Sequence, residues 1–228
     1  LPMKIVLGVM RCVASVSIGG AGVESAAREG IEWCDIWIAH ANETNLPRVL
    51  LIGDSITRGY QPAVEKQLAG KAYVARLTTS AYLTDPLLNQ QIASVLDNVR
   101  FDLIHFNNGL HGWQHSEETY RRAFPGFVAT IRKHAPKAKL IWATTTPFRP
   151  TAGNGDSNAA KNERVQARNA IALDVVRKRK IPVDDLFTLM RGHPELHSDD
   201  VHFNRDGTAL QGEQVAQQIA ELLPKQKQ

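Results

Sequence analysis

Between residues 49 and 223 short apolar runs alternate with longer segments of helical periodicity, and this alternation constrains the fold more than any other feature. Val49–Ile52, Ala72–Leu77, Phe101–Phe106, Leu140–Ala143 and Ile181–Val183 are too short for helices and read as strands, the last at an edge because of Pro182. The segments between them carry apolar residues three and four apart. Examples are Tyr60, Val64 and Leu68; Leu88, Ile92, Val95 and Val99; and Tyr120, Phe124, Phe127 and Ile131, with a kink expected at Pro125. Val165–Val176 and Leu210–Leu223 continue the pattern, and a brief helical turn is expected at Leu186–Met190. A strand followed by a helix, repeated, gives parallel strands, because each parallel crossover needs a covering element. The expectation is one α/β domain with a five-stranded parallel sheet and helices on both faces.

The 228 residues suffice for one such domain with a sizeable core. Residues 28–47, with Ile31, Trp33, Ile36, Trp37 and Ile38, read as an apolar lead-in packed against the sheet. Residues 1–28 read as an N-terminal extension: Met3-Lys4, an apolar stretch interrupted by Arg11, and small residues at Ser25-Ala-Ala27 resemble a signal segment. If it acts as one, the protein is secreted or periplasmic; otherwise it is cytoplasmic. Gly20-Ala-Gly-Val-Glu-Ser25 lacks the third glycine of a dinucleotide-binding turn. The formal charge of +4 is mild, and the basic clusters 132–134 and 177–180 fall at expected helix ends, where cations suit the last carbonyls. That reads as no nucleic-acid footprint. No stretch has the length and apolarity of a membrane span. Cys12 and Cys34 provide neither a disulfide framework nor a metal-ligand spacing.

The chemistry lies at two places. The first strand breaks at Gly53 into Asp54-Ser55-Ile56-Thr57-Arg58, and the loop leaving a parallel strand is where ligands bind. The loop ahead of the last helix reads Gly192-His-Pro-Glu-Leu-His-Ser-Asp-Asp-Val-His202. A serine needs a base for its proton and a group that orients the base. Asp199 and His202, three apart, can supply both. Ser55 alone is equally a turn residue, and a lone Asp-x-x-His is common; the combination carries the information. His193, His197, Asp199 and His202 are each possible metal ligands, but Pro194 interrupts the spacing and His193 and His197 read as loop histidines. Trp113 and Arg149 stand in exit loops as possible substrate contacts, whereas Trp142 reads as core.

Gly53-Asp-Ser-Ile56 and Asp199-Asp-Val-His202 resemble the first and last motif blocks of the SGNH hydrolases, the GDSL-type esterases and lipases, over roughly residues 47–223. The resemblance implies a flavodoxin-like three-layer α/β/α sandwich and cofactor-free ester hydrolysis. It makes Ser55 the nucleophile, His202 the base and Asp199 its orienter, with Asp200 one residue out of place. Two blocks depart from the family. The glycine whose N–H lines the oxyanion hole has no match in Thr78-Thr-Ser-Ala81, which leaves Ser80 or a neighbour as donor beside Ser55. The family's Gly-x-Asn-Asp reads Gly109-Leu-His-Gly112, which puts His111 in place of asparagine, with Asn107 and Asn108 as alternative donors. The elbow Gly-x-Ser-x-Gly of the α/β-hydrolases is absent. Polar exit loops favour a short-chain, acetyl-type esterase acting on carbohydrate, a small-molecule or polysaccharide ester. A lipase, thioesterase or acyltransferase of the same fold is the alternative, and a non-catalytic flavodoxin-like binding module the reading from another class.

Overall fold

The computed structural model describes residues 28–150 and 157–223. Residues 1–27 of the expected N-terminal extension, with its glycine turn and Cys12, therefore lie outside the described residues, as does part of the loop after Leu140–Ala143. The elements run β1 (Cys34–Ile38), β2 (Arg48–Gly53), α1 (Ser55–Gln67), β3 (Tyr73–Thr79), α2 (Pro86–Leu96), β4 (Leu103–Phe106), α3 (Glu117–His134), β5 (Lys139–Ala143), α4 (Ser157–Lys178), β6 (Val183–Asp184), α5 (Leu186–Arg191) and α6 (Arg205–Leu222).

Strand order is β1-β3-β2-β4-β5-β6, with β2 to β6 mutually parallel. Numbered from β2, the parallel strands follow the flavodoxin order, so the direction of winding reverses between β2 and β4. Along β2 the side chains alternate between two cores. Val49 and Leu51 join Tyr60, Val64, Val215 and Ile219 from α1 and α6 on one face. Leu50 and Ile52 join Ile92, Phe124 and Trp142 with Ile171 and Val176 of α4 on the other. A strand covered on both sides favours a continuous apolar run: all six residues of β2 are buried, Val49 to Ile52 are apolar, and Arg48 at its start donates to the carbonyls of Ala39, His40 and Glu43. Trp142 is wholly buried, as its mid-strand place requires.

The sheet has six strands where the sequence pattern predicts five. The sixth is β1, inside the segment expected to be a packed lead-in; it pairs antiparallel with the outer edge of β3, from Cys34↔Thr79 to Ile38↔Ala75. Its sequence gives no strand signal because neither face is fully covered: Ile36 and Trp37 remain exposed, as does Ile31 before it. Arg76 ties the pair together, bonded to Asp35 at 2.8 Å with its guanidinium over the Trp37 ring. Arg132, Lys133 and His134 fall in the last turn of α3, Arg177 and Lys178 in that of α4 with Arg179 and Lys180 just beyond it, and α3 runs unbroken through Pro125.

Candidate active site

Ser55 is the first residue of α1, five residues earlier than the apolar periodicity suggests. The reason is local. Asp54 is extended and its carboxylate accepts from Ile56 N (2.9 Å), which caps the helix so that it starts directly at the strand end. Gly53 is needed there, since a Cβ would overlap the Thr57 side chain of the first turn. Ser55 is thus held at the mouth of the crevice between β2 and β4, with the open N–H groups of a helix start beside it.

The loop ahead of α6 brings its two residues to the same place. Ser55 Oγ lies 2.9 Å from His202 Nε2, and His202 Nδ1 lies 2.8 Å from Asp199 Oδ2. The other carboxylate oxygen of Asp199 accepts from Val201 N (2.7 Å) and His202 N (2.6 Å). Desolvation pushes the Asp199 pKa up, but these backbone bonds and the His202 ring outweigh it and bring it to about 2. An ionised Asp199 takes the Nδ1–H, which leaves Nε2 as an acceptor for the Ser55 hydroxyl. Asn204 caps α6 through Asp206 N and Gly207 N, while Ser198 N donates to His202 O (2.8 Å). The histidine and aspartate are open to solvent, with side chains 48% and 57% exposed.

The other named residues divide. Asp200 offers its backbone carbonyl to Arg149 N (2.8 Å), which places Arg149 on the rim. His197 is buried against Phe203, its ring nitrogens facing Pro194 O and Pro147 O, and His193 is paired with Glu195. Among the described residues no group of three or more His, Cys, Asp or Glu is arranged to hold a metal ion. Trp113 packs edge-on to Phe148 and stacks with Arg164 and Arg168.

The expected oxyanion donors are placed less simply. Ser80 N donates to Trp33 O (3.1 Å), and its hydroxyl accepts from Trp33 N and donates to Glu32. The backbone N–H of Ser80 thus belongs to the β1–β3 pairing, and the expectation that it faces the oxyanion is corrected. Asn107 donates its amide to Ala143 O and Thr145 Oγ1. Asn108 gives one amide proton to Ala81 O (3.0 Å), and its Oδ1 is buried without a partner. His111 has Nδ1 2.9 Å from Glu29 Oε2, and Glu29 Oε1 accepts from Gly112 N at 2.9 Å.

Sequence reasoning misses the supports of this loop. Arg168 of α4, with no side-chain exposure, donates to the carbonyls of Gly109 (2.9 Å), His111 (2.8 Å) and Gly112 (3.0 Å). Tyr82, Trp113 and Tyr120 surround its guanidinium. Arg164, one turn earlier, donates to Trp113 O and His115 O and pairs with Glu117. Two arginines at i and i+4 on an otherwise apolar helix face are the only hint the sequence holds. Glu29 and Trp33 leave none, because Glu29 meets His111 and Gly112 across 82 and 83 residues of chain, and Trp33 meets Ser80, Arg58 and His111 only in the fold.

Residues 51–210 match the model of the GDSL-like lipase/acylhydrolase family. The chain belongs to that family. It is accordingly a carboxylic ester hydrolase of the SGNH superfamily. The chain is similar in fold to the lipase/acylhydrolase from Enterococcus faecalis (TM-score 0.60, 20% identity, 80% of this chain and 100% of that one). A carbohydrate esterase family 3 protein from Talaromyces cellulolyticus superposes with TM-score 0.60 at 16% identity, over 77% of this chain and 97% of that one. The aryl esterase of M. smegmatis gives TM-score 0.58 at 16% identity, over 78% and 100%. No curated protein sequence matches the chain. The GDSL-like match begins at Leu51, so Glu29 and Trp33 lie outside the stretch it covers.

Proposed function

We propose that the protein is a serine esterase that removes short acyl groups, acetyl foremost, from carbohydrate through Ser55, His202 and Asp199. The observation that carries this reading is the relay from Ser55 Oγ to His202 Nε2 (2.9 Å) and from His202 Nδ1 to Asp199 (2.8 Å). In the first half-reaction Ser55 Oγ bonds to the ester carbonyl carbon and its proton passes to His202 Nε2. The tetrahedral intermediate collapses, the C–O bond to the alcohol breaks, and His202 gives its proton to the leaving oxygen. Water then adds to the acyl-enzyme with His202 again taking the proton, and the acid and free Ser55 are released. Asp199 remains ionised throughout and stabilises the imidazolium. The Ser55 N–H and a side-chain donor from the 108–111 loop serve the oxyanion.

The substrate class is supported by the character of the rim. His202 and Asp199 are half open to solvent, and Arg58, Arg149 and Asp200 are exposed around them. An open polar rim suits a small acyl group on a bulky hydroxylated carrier, whereas a long acyl chain needs an apolar channel. The E. faecalis and M. smegmatis proteins carry the names lipase/acylhydrolase and aryl esterase, and the T. cellulolyticus protein that of a carbohydrate esterase. Ser55→Ala and His202→Ala each lower kcat on an acetyl ester by about 10³-fold or more, with circular dichroism unchanged. Wild-type turnover by Ser55→Ala would sink the assignment.

A further inference from the structure

Glu29 stands outside the family-matched stretch, yet its carboxylate holds two atoms of the loop after β4: His111 Nδ1 at 2.9 Å and Gly112 N at 2.9 Å. That loop leaves its strand beside the Ser55 turn, since Asn107 N donates to Ile52 O (2.9 Å) across the β2–β4 seam. Trp33 closes the gap from the rim. The edge of its ring system meets His111, with ring centroids 6.3 Å apart, and Arg58, one turn beyond Ser55 on α1, lays its guanidinium over the same indole at 4.8 Å. Glu29 holds His111 at Nδ1, so a donor from this ring to the oxyanion has to be Nε2. Arg168 holds the same residue from behind through its carbonyl.

From this arrangement we infer that Glu29 is a positioning residue, and that the Glu29–His111 pair must keep one shared proton for His111 to donate to the oxyanion. The reasoning is proton arithmetic. With Glu29 ionised and the ring neutral, the only ring proton sits on Nδ1, where the carboxylate takes it, and Nε2 presents a lone pair. A lone pair repels a developing oxyanion. One further proton changes this, whether the pair is carboxylate with imidazolium or carboxylic acid with neutral ring, because both forms carry Nε2–H. The inference rests on Ser55 being the nucleophile, and it adds a second carboxylate–imidazole pair whose proton count is opposite to that of the first. His202 acts with its Nε2 bare, and His111 acts with its Nε2 protonated.

The charged groups placed about this loop are Glu29, bonded to the ring; Glu32, bonded to Ser80; Arg58, over the Trp33 indole; Arg168, bonded to the His111 carbonyl; and Arg164, bonded to the next carbonyls and paired with Glu117. Of these Glu29 is the one that bonds the ring. On this inference, loss of the pair's proton removes the oxyanion donor and gives kcat its alkaline limb.

Glu29→Gln tests this cleanly. A glutamine can keep the acceptor for Gly112 N on its oxygen and donate from its amide nitrogen to His111 Nδ1, which forces the neutral ring into the Nε2–H tautomer. The donor then persists without an added proton. The measurement is kcat for an aryl acetate from pH 5 to 10 in wild type, Glu29→Gln and Glu29→Ala. The expected result is an alkaline limb that moves up by at least one pH unit in Glu29→Gln relative to wild type. Glu29→Ala loses about tenfold in kcat with KM little changed, because the ring is no longer held. Superimposable alkaline limbs in wild type and Glu29→Gln overturn the inference, and so does an unaltered kcat in Glu29→Ala. Should Glu29→Gln fail to fold by circular dichroism, His111→Asn replaces it, since an amide donor does not titrate and must also lose the limb. Ser55→Ala run alongside separates the two readings: activity surviving there removes the nucleophile, whereas limb behaviour speaks only to the Glu29–His111 pair.

Discussion

Replacing Arg168 should damage stability and rate together, for one structural reason. The guanidinium is wholly buried and bonds three carbonyls of one short loop, those of Gly109, His111 and Gly112. Burial lowers its pKa, with Arg164 adding to that effect and Glu117 opposing it. Arg168→Ala leaves three carbonyls without their donor at about 1–3 kcal/mol each. Part of that is recovered because a buried charge is no longer held out of water. The net expectation is a loss of about 3–5 kcal/mol, large for one residue yet below the total stability of an ordinary domain, about 5–15 kcal/mol. Arg168→Lys keeps the charge but loses the planar fork, and should fall between. Because His111 rides on the loop, kcat should drop about 10²-fold through misplacement alone, with KM changing much less. The assay is urea denaturation followed by fluorescence, where the midpoint of Arg168→Ala should fall by more than about 1 M for a slope of about 1–3 kcal/mol/M. A midpoint within about 0.2 M of wild type, or a kcat within twofold, would refute the idea that this arginine preorganises the loop.

Asp199, with its pKa at about 2, stays ionised through the whole assay range, so its own protonation should leave no inflection in the pH profile of kcat. The same depressed value, against 3.8 for a free aspartate, adds stability that is fully present above about pH 4 and fades as pH falls toward about 2. Acid unfolding of Asp199→Asn should accordingly show a shallower dependence on pH over that interval. On a series of aryl esters, acetate and propionate should turn over faster than octanoate. The opposite order would replace the carbohydrate reading by a lipase.

Much of the fold is legible in the residues because burial on both faces favours apolar runs: Val49–Ile52 and Leu140–Ala143 are apolar throughout, and Leu103–Phe106 is so except for His105, whose buried ring pairs with Asp184. Amphipathic spacing does the same for α2, α3 and α6. Chain starts of helices are less legible. Ser55 belongs to α1 only because Asp54 caps it, and the polar run 54–58 looks like a loop until Gly53 and Thr57 are seen in contact. β1 escapes altogether, since an edge strand exposed on both faces needs no alternation.

For the site the division follows chain distance. Ser55 with Asp54, and Asp199 with His202, are neighbours along the backbone, so the proposed nucleophile with its helix cap, and the proposed orienter with its base, each stand in one short motif. Their meeting at 2.9 Å comes only with the fold, which brings the loop ahead of α6 over the end of β2. What surrounds them is decided by tertiary structure alone. Glu29 reaches His111 over 82 residues, and Arg168 reaches the His111 carbonyl over 57. Neither pairing has a local pattern, because a single carboxylate or guanidinium makes no periodicity and its partner atoms are mostly backbone. Folding sets the protonation demanded of His111, since a carboxylate at Nδ1 exists only once the segment before β1 lies against the loop after β4.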